Sequence, residues 1–235
     1  MFRYKIVCLY TMILIAVILI LILLFLTFFL YKVSFEQDQN NYLIVCARYN
    51  RNTDFLKEMS IPSVVIDKTV VPNVANEATS YLYYIIKNYE TLPDNLIFIH
   101  DENTSWHHNG KITENIKTWI KEYEKTGSTY YEFNNMDIDK PAEYHTDAEK
   151  ELWESVFENH VCPYKNASPH AGKCCAQFIV SKKQIQQHPK QFYQDYYNWL
   201  IDNTTEEGNG SPEDMYSGYN TSRYAEWSWR FIFSP

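Results

Sequence analysis

The hydrophobic pattern divides the chain into one long apolar run near the N-terminus and a longer region in which apolar and polar positions alternate. From Ile6 to Tyr31 the sequence contains no charged residue, no proline and no glycine. A run of roughly 20 apolar residues is long enough to cross a bilayer as a helix. The pattern therefore predicts a transmembrane helix over residues 6–31.

The charges that flank this run predict its orientation. Arg3 and Lys5 precede it, whereas Lys32 is soon followed by Glu36 and Asp38. Positive residues collect on the cytoplasmic side, so we expect a signal-anchor of the single-pass type II kind. The alternative is a cleaved signal peptide, whose apolar region would span about 7–15 residues and end at a small-x-small site. The expected parts are a cytoplasmic tail (1–5), the transmembrane helix (6–31), a stalk (32–41) and a domain (42–235) in the lumen of the secretory pathway or on an extracellular or virion surface.

The first half of the domain alternates predicted strands and helices. Tyr42–Ala47, Ser63–Asp67 and Leu96–His100 are short runs rich in branched apolar residues, which is typical of buried strands. Before the third run, apolar residues recur at helical spacing from Ala78 to Tyr89. This order predicts the α/β class, with a Rossmann-like, mostly parallel sheet flanked by helices.

In the second half of the domain, the patterns that predict helices and strands lie further apart along the sequence. Thr146–Glu149 has the form of a capping box and so predicts the start of a helix. Cys174–Val180 is an apolar run with the character of a strand. Further helices are predicted over residues 53–59, 113–125 and 189–202.

The ends of the predicted strands nominate a ligand site. In a parallel sheet, ligands bind beyond the carboxyl ends of the strands. The three strands of the first half end at Arg48, at Asp67-Lys68 and at His100-Asp101. We therefore expect these side chains to meet at one edge of the sheet, with Arg48 contacting the substrate.

The segment from His100 to Asn109 holds two carboxylates and three imidazoles. Mn²⁺ and Mg²⁺ accept carboxylate oxygen readily and tolerate imidazole. His100, Asp101, Glu102 and His107 are therefore predicted ligands of a divalent cation, and Asp101 is also a predicted catalytic residue. The alternative is a polar loop whose histidines hydrogen-bond the backbone.

Two glutamates outside this segment are candidate functional residues. Glu77 and Asn73 lie at the start of the amphipathic helix, where backbone N–H groups can receive a phosphate or a sugar hydroxyl. A simple acidic complement to the helix dipole explains Glu77 equally well. Glu226 lies among aromatic residues, an environment that favours a raised pKa and a role as the catalytic base. An ion pair with Arg230 is the alternative there.

Composition excludes several classes of protein. The formal net charge of −8 argues against a nucleic-acid partner, because phosphate binding needs clustered Lys and Arg. The absence of Gly-x-Ser-x-Gly, P-loop and Gly-x-Gly-x-x-Gly motifs disfavours serine hydrolases and ATP-binding loops. Aromatic residues make up 17% of the chain, which suits a carbohydrate-facing surface, although a tyrosine-rich core explains it as well.

The cysteines and sequons bear on the compartment. A lumenal domain can form disulfides, and one bridge is expected from Cys162 to Cys174 or Cys175. The spacing is not a zinc pattern, because no Cys-x-x-Cys occurs. Sequons are compatible with a glycoprotein. They occur at Asn103, Asn166, Asn203 and Asn220.

Several short strings follow one another in a defined order along the chain. They include Ala47-Arg-Tyr-Asn50, Pro72-Asn-Val with Glu77, Leu92-Pro-Asp94, Ile97-Phe-Ile-His100, Trp106-His107, Cys174-Cys-Ala-Gln-Phe178 and Glu226 with Trp229. In this order they resemble the domain-of-unknown-function family numbered 3431, found in fungi, algae and large DNA viruses, over residues 42–233. The Cys-Cys-Ala-Gln-Phe string is the most specific of them.

The resemblance implies a fold but supplies no established activity. The family's order of elements is similar to the glycosyltransferase A-type fold. It implies a membrane-anchored, glycosyltransferase-like protein that binds a nucleotide sugar with a divalent metal and acts on a glycan or protein acceptor. Trp106 and Gln177 would then join Arg48, Asn73 and Glu77 as substrate-binding residues.

Two other functions stay open. Where the family pattern has Gly-Arg before the glutamate, this chain has Ala75-Asn76, so an expected diphosphate contact is missing. That departure favours a non-catalytic membrane or virion-surface binding protein on the same fold. A metal-dependent hydrolase that holds zinc through His100, His107 and His108 is the third possibility.

Overall fold

The computed structural model describes residues 17–29, 41–134, 137–139, 146–162, 171–173, 176–206 and 210–233. The chain forms two compact units, residues 1–41 and residues 42–235. In the first unit, residues 17–29 are helical. Among the residues described, no helix combines the length and the apolar character that crossing a bilayer requires. The transmembrane helix expected over 6–31 extends beyond the described residues and stays a prediction.

The second unit is built on a five-stranded sheet. Its strands are β1 (Tyr42–Arg48), β2 (Ser63–Asp67), β3 (Asn95–His100), β4 (Tyr130–Glu132) and β7 (Phe178–Ser181). They lie in the order β2-β1-β3-β7-β4. Two further short strands, β5 (Asp137–Asp139) and β6 (Ala171–Lys173), pair with each other in an antiparallel ladder.

Helices connect and cover these strands. They are α1 (Ala78–Asn88), α2 (Ile112–Thr126), α3 (Asp147–Leu152), α4 (Lys182–Ile185), α5 (Lys190–Asn203) and α6 (Gly218–Phe233), with a π turn at Trp153–Phe157 and 3-10 turns at Asp54–Glu58 and Tyr89–Thr91. Thr146 is the N-cap of α3, as the capping-box pattern predicted, because its hydroxyl accepts the N–H of Glu149 at 3.2 Å.

The sheet is mixed. β1 pairs in parallel with β2 and with β3, whereas β7 is antiparallel to both β3 and β4. Four of the five strands therefore point the same way, and β7 runs against them. The α/β class is confirmed, and the antiparallel β7 is the feature that the local sequence pattern did not predict.

The sheet is buried on both faces. In β1, Val45 packs into the layer formed by α1, α3, α5 and α6. Its neighbours Ile44 and Cys46 pack on the other side, where Ile116 and Ile120 of α2 cover the sheet. A strand buried on both faces has no polar side, which explains why these strands appear as continuous apolar runs in the sequence.

Two expectations for the C-terminal half need correction. The strand predicted over Cys174–Val180 begins only at Phe178, because Ala176 has a φ of 45°. That value lies in the left-handed region, which an extended strand cannot include. Cys162 carries a free thiol, so the predicted bridge from it is not formed. Cys174 and Cys175 themselves lie outside the described residues.

Candidate functional site

The carboxyl ends of β1, β2 and β3 lie side by side, as the sequence predicted. The register pairs Arg48 with Asp67 and Ala47 with His100. A pocket of about 330 Å³ opens at this edge of the sheet. Six predicted site residues line it: Arg48, Asn73, Glu77, His100, Asp101 and Glu102. The volume lies at the small end of the range of roughly 300–1,000 Å³ that is typical of ligand pockets.

Glu77 and His100 form a poorly hydrated pair in this pocket. The Nε2 atom of His100 lies 3.8 Å from an Oε atom of Glu77, and their side chains are 26% and 13% exposed. Burial raises the pKa of Glu77 from 4.5 to about 7, although its own backbone N–H and the Lys68 ammonium oppose the shift. Burial also lowers the pKa of His100 from 6.5 to about 4. At neutral pH the imidazole is therefore uncharged, and the carboxyl group is poised between its two forms.

Behind this pair, buried polar atoms lack hydrogen-bond partners. Among the described residues, the Tyr81 hydroxyl and His100 Nε2 are inaccessible to solvent and make no hydrogen bond. Burial raises the pKa of Tyr81 well above its ordinary value, and the nearby negative charge of Glu77 adds to the effect. An unpaired buried polar group is costly, so these two atoms lower the stability of the fold at this place.

A buried amide network fixes the end of β3. Gln177 is 1% exposed, and its Oε1 atom accepts the backbone N–H of His100 at 3.2 Å. Its Nε2 atom lies 3.3 Å from Nδ1 of His107, and that nitrogen is 2.9 Å from Oδ1 of Asn134. Gln177 therefore does not line the pocket but holds His100 in place. Asn134 has no counterpart among the sequence predictions, because nothing in its local sequence signals the contact.

Asp101 and Glu102 hold the loop that follows β1. One Asp101 oxygen accepts the backbone N–H groups of Tyr49 at 2.9 Å and of Arg51 at 3.2 Å. Glu102 forms an ion pair with Arg51 at 3.1 Å. These contacts give both carboxylates a structural role at the rim of the pocket. A shallower depression of about 450 Å³ adjoins the pocket and shares Asp101 and Glu102 with it.

The four predicted metal ligands point to different partners. His100 faces Glu77, His107 bonds to Asn134, and the two acids hold the neighbouring loop. Within the described ranges, no three histidine, cysteine or acidic side chains come together in a group that could hold a metal ion. The divalent cation stays a prediction from sequence, and the observed side-chain directions do not add support to it.

Two other predicted residues lie apart from the pocket lining. Trp106 is 73% exposed, and its ring is 5.3 Å from that of His107, measured between centroids. Glu226 lies on α6 and is half-buried. Neither is among the residues that line the pocket. The predicted role of Glu226 as a catalytic base therefore stays a prediction.

Four further residues line the pocket: Ala47, Tyr49, Lys68 and Asn76. The strand ends had already placed Lys68 at this edge of the sheet, but no role was predicted for its side chain. Ala75 and Asn76 have φ angles of 50° and 45°, in the region that glycine adopts without strain. This conformation gives a physical reason for the glycine that the resemblance leads one to expect at position 75.

Sequons within the described residues are engaged in the fold. Asn220 is 4% exposed, and its Nδ2 atom donates to the carbonyls of Pro212 at 3.0 Å and Asp214 at 2.8 Å. The Nδ2 atom of Asn103 donates to Thr113 at 3.2 Å. A glycan on Nδ2 of Asn220 would replace one of these donors and require space that the fold does not have.

The fold and the site together define the class of this protein. It is an α/β domain with a polar pocket at the carboxyl ends of parallel strands. The family model described as "Protein of unknown function (DUF3431)" matches residues 52–235, and the chain belongs to that family. No curated protein and no solved structure matches the chain significantly.

Proposed function

We propose that the pocket at the strand ends binds a nucleotide sugar and that the protein is a membrane-anchored, glycosyltransferase-like enzyme. The observation that carries this proposal is the Glu77–His100 pair, held 3.8 Å apart in a pocket with polar walls. A sugar hydroxyl both donates and accepts hydrogen bonds. It can therefore donate to the Glu77 carboxylate, which lines the pocket beside His100.

Arg48 supports recognition of the phosphate part of such a ligand. Its Nε atom bonds to Asp67 at 2.5 Å, and in the described part of the chain its terminal nitrogens donate to no protein group. A guanidinium presents a planar fork of donors that matches phosphate oxygens. Asp67 holds this side chain at the rim, because the Thr69 N–H and the Arg48 guanidinium lower the Asp67 pKa to about 2 and keep it charged.

The proposed chemistry is transfer of a glycosyl group to an acceptor hydroxyl. The acceptor oxygen forms a bond to the anomeric carbon, the bond from that carbon to the phosphate oxygen breaks, and the diphosphate leaves with the electron pair. Glu77 receives the proton of the acceptor hydroxyl. Glu77 takes this role in the proposal, in place of Glu226, because it lines the pocket. The adjoining depression at Asp101 and Glu102 offers room for the remainder of the donor or for the acceptor.

Calorimetry on the full-length protein tests the proposal. UDP-glucose, UDP-N-acetylglucosamine and GDP-mannose are titrated with and without Mn²⁺. We expect one of them to bind, at least tenfold more weakly to Arg48→Met than to the unaltered protein. Lys121→Met, an exposed position on α2, is the matched loss of a positive charge and should bind as the unaltered protein does. Failure of every donor to bind in both conditions would overturn the proposal.

A non-catalytic binding protein is the second candidate. It is favoured by the Asp101 carboxylate, which already accepts two backbone N–H groups, and by Asn76 at the position where the resemblance implies arginine. Glu77→Gln separates the two functions. An enzyme should lose turnover of the bound donor in this variant while retaining the binding, whereas a binding protein shows no turnover even before the substitution.

A further inference from the structure

The ammonium group of Lys68 lies in a cage of protein oxygen atoms. It donates to the Thr79 hydroxyl at 2.6 Å and to the carbonyl of Asn76. The carbonyls of Pro72 and Val74 lie 3.4 and 3.5 Å from the same nitrogen. Three carbonyl oxygens and a hydroxyl around one positive charge are the ligands that a protein offers to a bound cation.

The cage closes around a strained piece of backbone. Ala75 and Asn76 are consecutive non-glycine residues with φ angles of 50° and 45°. Residues with a side chain are strained in this left-handed region, so the segment needs compensating contacts. Thr79 supplies some of them, because its buried hydroxyl lies 3.0 Å from the carbonyl of Val74 and 3.2 Å from that of Pro72. The Lys68 ammonium bonds directly to the carbonyl of Asn76, the second strained residue.

The same segment forms one wall of the pocket. Asn73, Asn76 and Glu77 all line it, and Lys68 lines it as well. The caged carbonyls belong to residues 72, 74 and 76, so the cage and the pocket wall share one short segment and have Asn76 in common. Without the ammonium, the Thr79 hydroxyl would be the remaining donor of the cage for three carbonyl oxygens, and we expect the wall to relax.

We propose that Lys68 is a positioning residue whose ammonium acts as a built-in cation, holding residues 72–79 in the strained conformation that presents Asn73 and Glu77 to the pocket. The inference concerns the protein alone and is independent of which ligand the pocket takes. In this role Lys68 differs from a phosphate-binding lysine, because its ammonium donates to the Asn76 carbonyl and to the Thr79 hydroxyl.

Chemical rescue tests the cage directly. Lys68→Ala removes a propylammonium-sized group, and we expect its thermal midpoint to fall by roughly 4–10 °C. Propylammonium chloride should restore a large part of that loss, whereas tetramethylammonium chloride at equal concentration should not, because it has no N–H to donate. Lys57→Ala is the control, since Lys57 is exposed and forms a surface ion pair with Asp54 at 2.5 Å. It should show no selective response to propylammonium.

Lys68→Met is a second test variant in case Lys68→Ala fails to fold. It retains an apolar side chain of similar length but lacks the positive charge. Hydrogen exchange of this variant, followed by mass spectrometry, should be faster in residues 69–79 and unchanged in β1 and β3. A purely global loss of stability would instead speed exchange throughout the sheet. The proposal is overturned if Lys68→Met has the exchange pattern of the unaltered protein, or if propylammonium and tetramethylammonium act equally on Lys68→Ala.

Discussion

Glu77 makes the protein's stability depend on pH in a way that one substitution should expose. Its carboxyl pKa is raised from 4.5 to about 7, with burial as the main cause. The folded protein therefore holds a proton that the unfolded chain releases between these two values. Stability contributed by the neutral carboxyl is fully present below pH 4.5 and is lost as the pH rises through 7. A rise of the Glu77 pKa from 4.5 to about 7 corresponds to about 3 kcal/mol of stability, because each pKa unit is worth about 1.4 kcal/mol.

Glu77→Gln replaces the neutral carboxyl by a group of the same shape that does not titrate. We expect the variant to match the unaltered protein closely at pH 4.5 and to become more stable, relative to it, by about 3 kcal/mol at pH 8. The comparison between the two proteins is needed because His100 acts in the opposite sense. Its pKa is lowered from 6.5 to about 4, so its contribution is present above 6.5 and is lost as the pH falls through 4.

Urea unfolding at half-unit steps from pH 4.5 to 8 measures this difference. Glu58→Gln, at an exposed position in the 3-10 turn after β1, controls for the loss of a surface carboxylate. A difference between Glu77→Gln and the unaltered protein that changes by less than about 1 kcal/mol over this range would refute the reasoning. It would mean that water reaches the carboxylate in the pocket and keeps it charged in the folded protein.

Three further substitutions probe buried polar groups. Tyr81→Phe removes a hydroxyl that makes no hydrogen bond within the described part of the chain, so the free energy of unfolding should stay the same or rise by up to about 1–2 kcal/mol. A clear decrease in that free energy, measured by urea unfolding, would contradict this. Gln177→Leu leaves the His100 N–H without its acceptor and should cost about 1–3 kcal/mol in the same assay, whereas an unchanged unfolding midpoint would show that water replaces the amide. Asn220→Ala should cost about 1–3 kcal/mol, because two hydrogen bonds to carbonyls are lost. Peptide mass spectrometry of the unaltered protein from eukaryotic cells should find Asn220 without a glycan, and a glycan there would count against the buried position.

The first half of the domain could be predicted well because its signals are local. Apolar runs gave β1, β2 and β3 within about a residue of their observed bounds, and helical spacing gave α1. The pocket followed from topology alone, since the ends of neighbouring parallel strands must share an edge. The second half was harder. β4 is three residues long, and β7 pairs antiparallel to β3 across more than eighty residues of sequence, so no local pattern determines either.

The roles of individual side chains show the same division. Arg48, Glu77 and His100 were nominated by their places next to strand and helix ends, and they line one pocket. Asp101 and Glu102 reached the same edge, but their observed contacts hold a loop and do not form a common metal site. Gln177 was expected to touch substrate, and it instead bonds the backbone of His100. The strand that carries a residue decides whether its side chain lies near an edge of the sheet. The direction of that side chain and its hydrogen-bond partner depend on how distant segments pack around it.

By itself, the sequence determined the alternation of strands and helices, the sheet edge where polar residues gather and the family to which the chain belongs. These features depend on periodicity and on neighbours within a few positions. Only the tertiary structure decided that Glu77 and His100 lie 3.8 Å apart, that Lys68 is enclosed by carbonyl oxygens and that Glu226 is not among the residues that line the pocket. Burial, pKa and hydrogen-bond partner are properties of the assembled environment, because each depends on atoms contributed by parts of the chain that the local sequence does not contain.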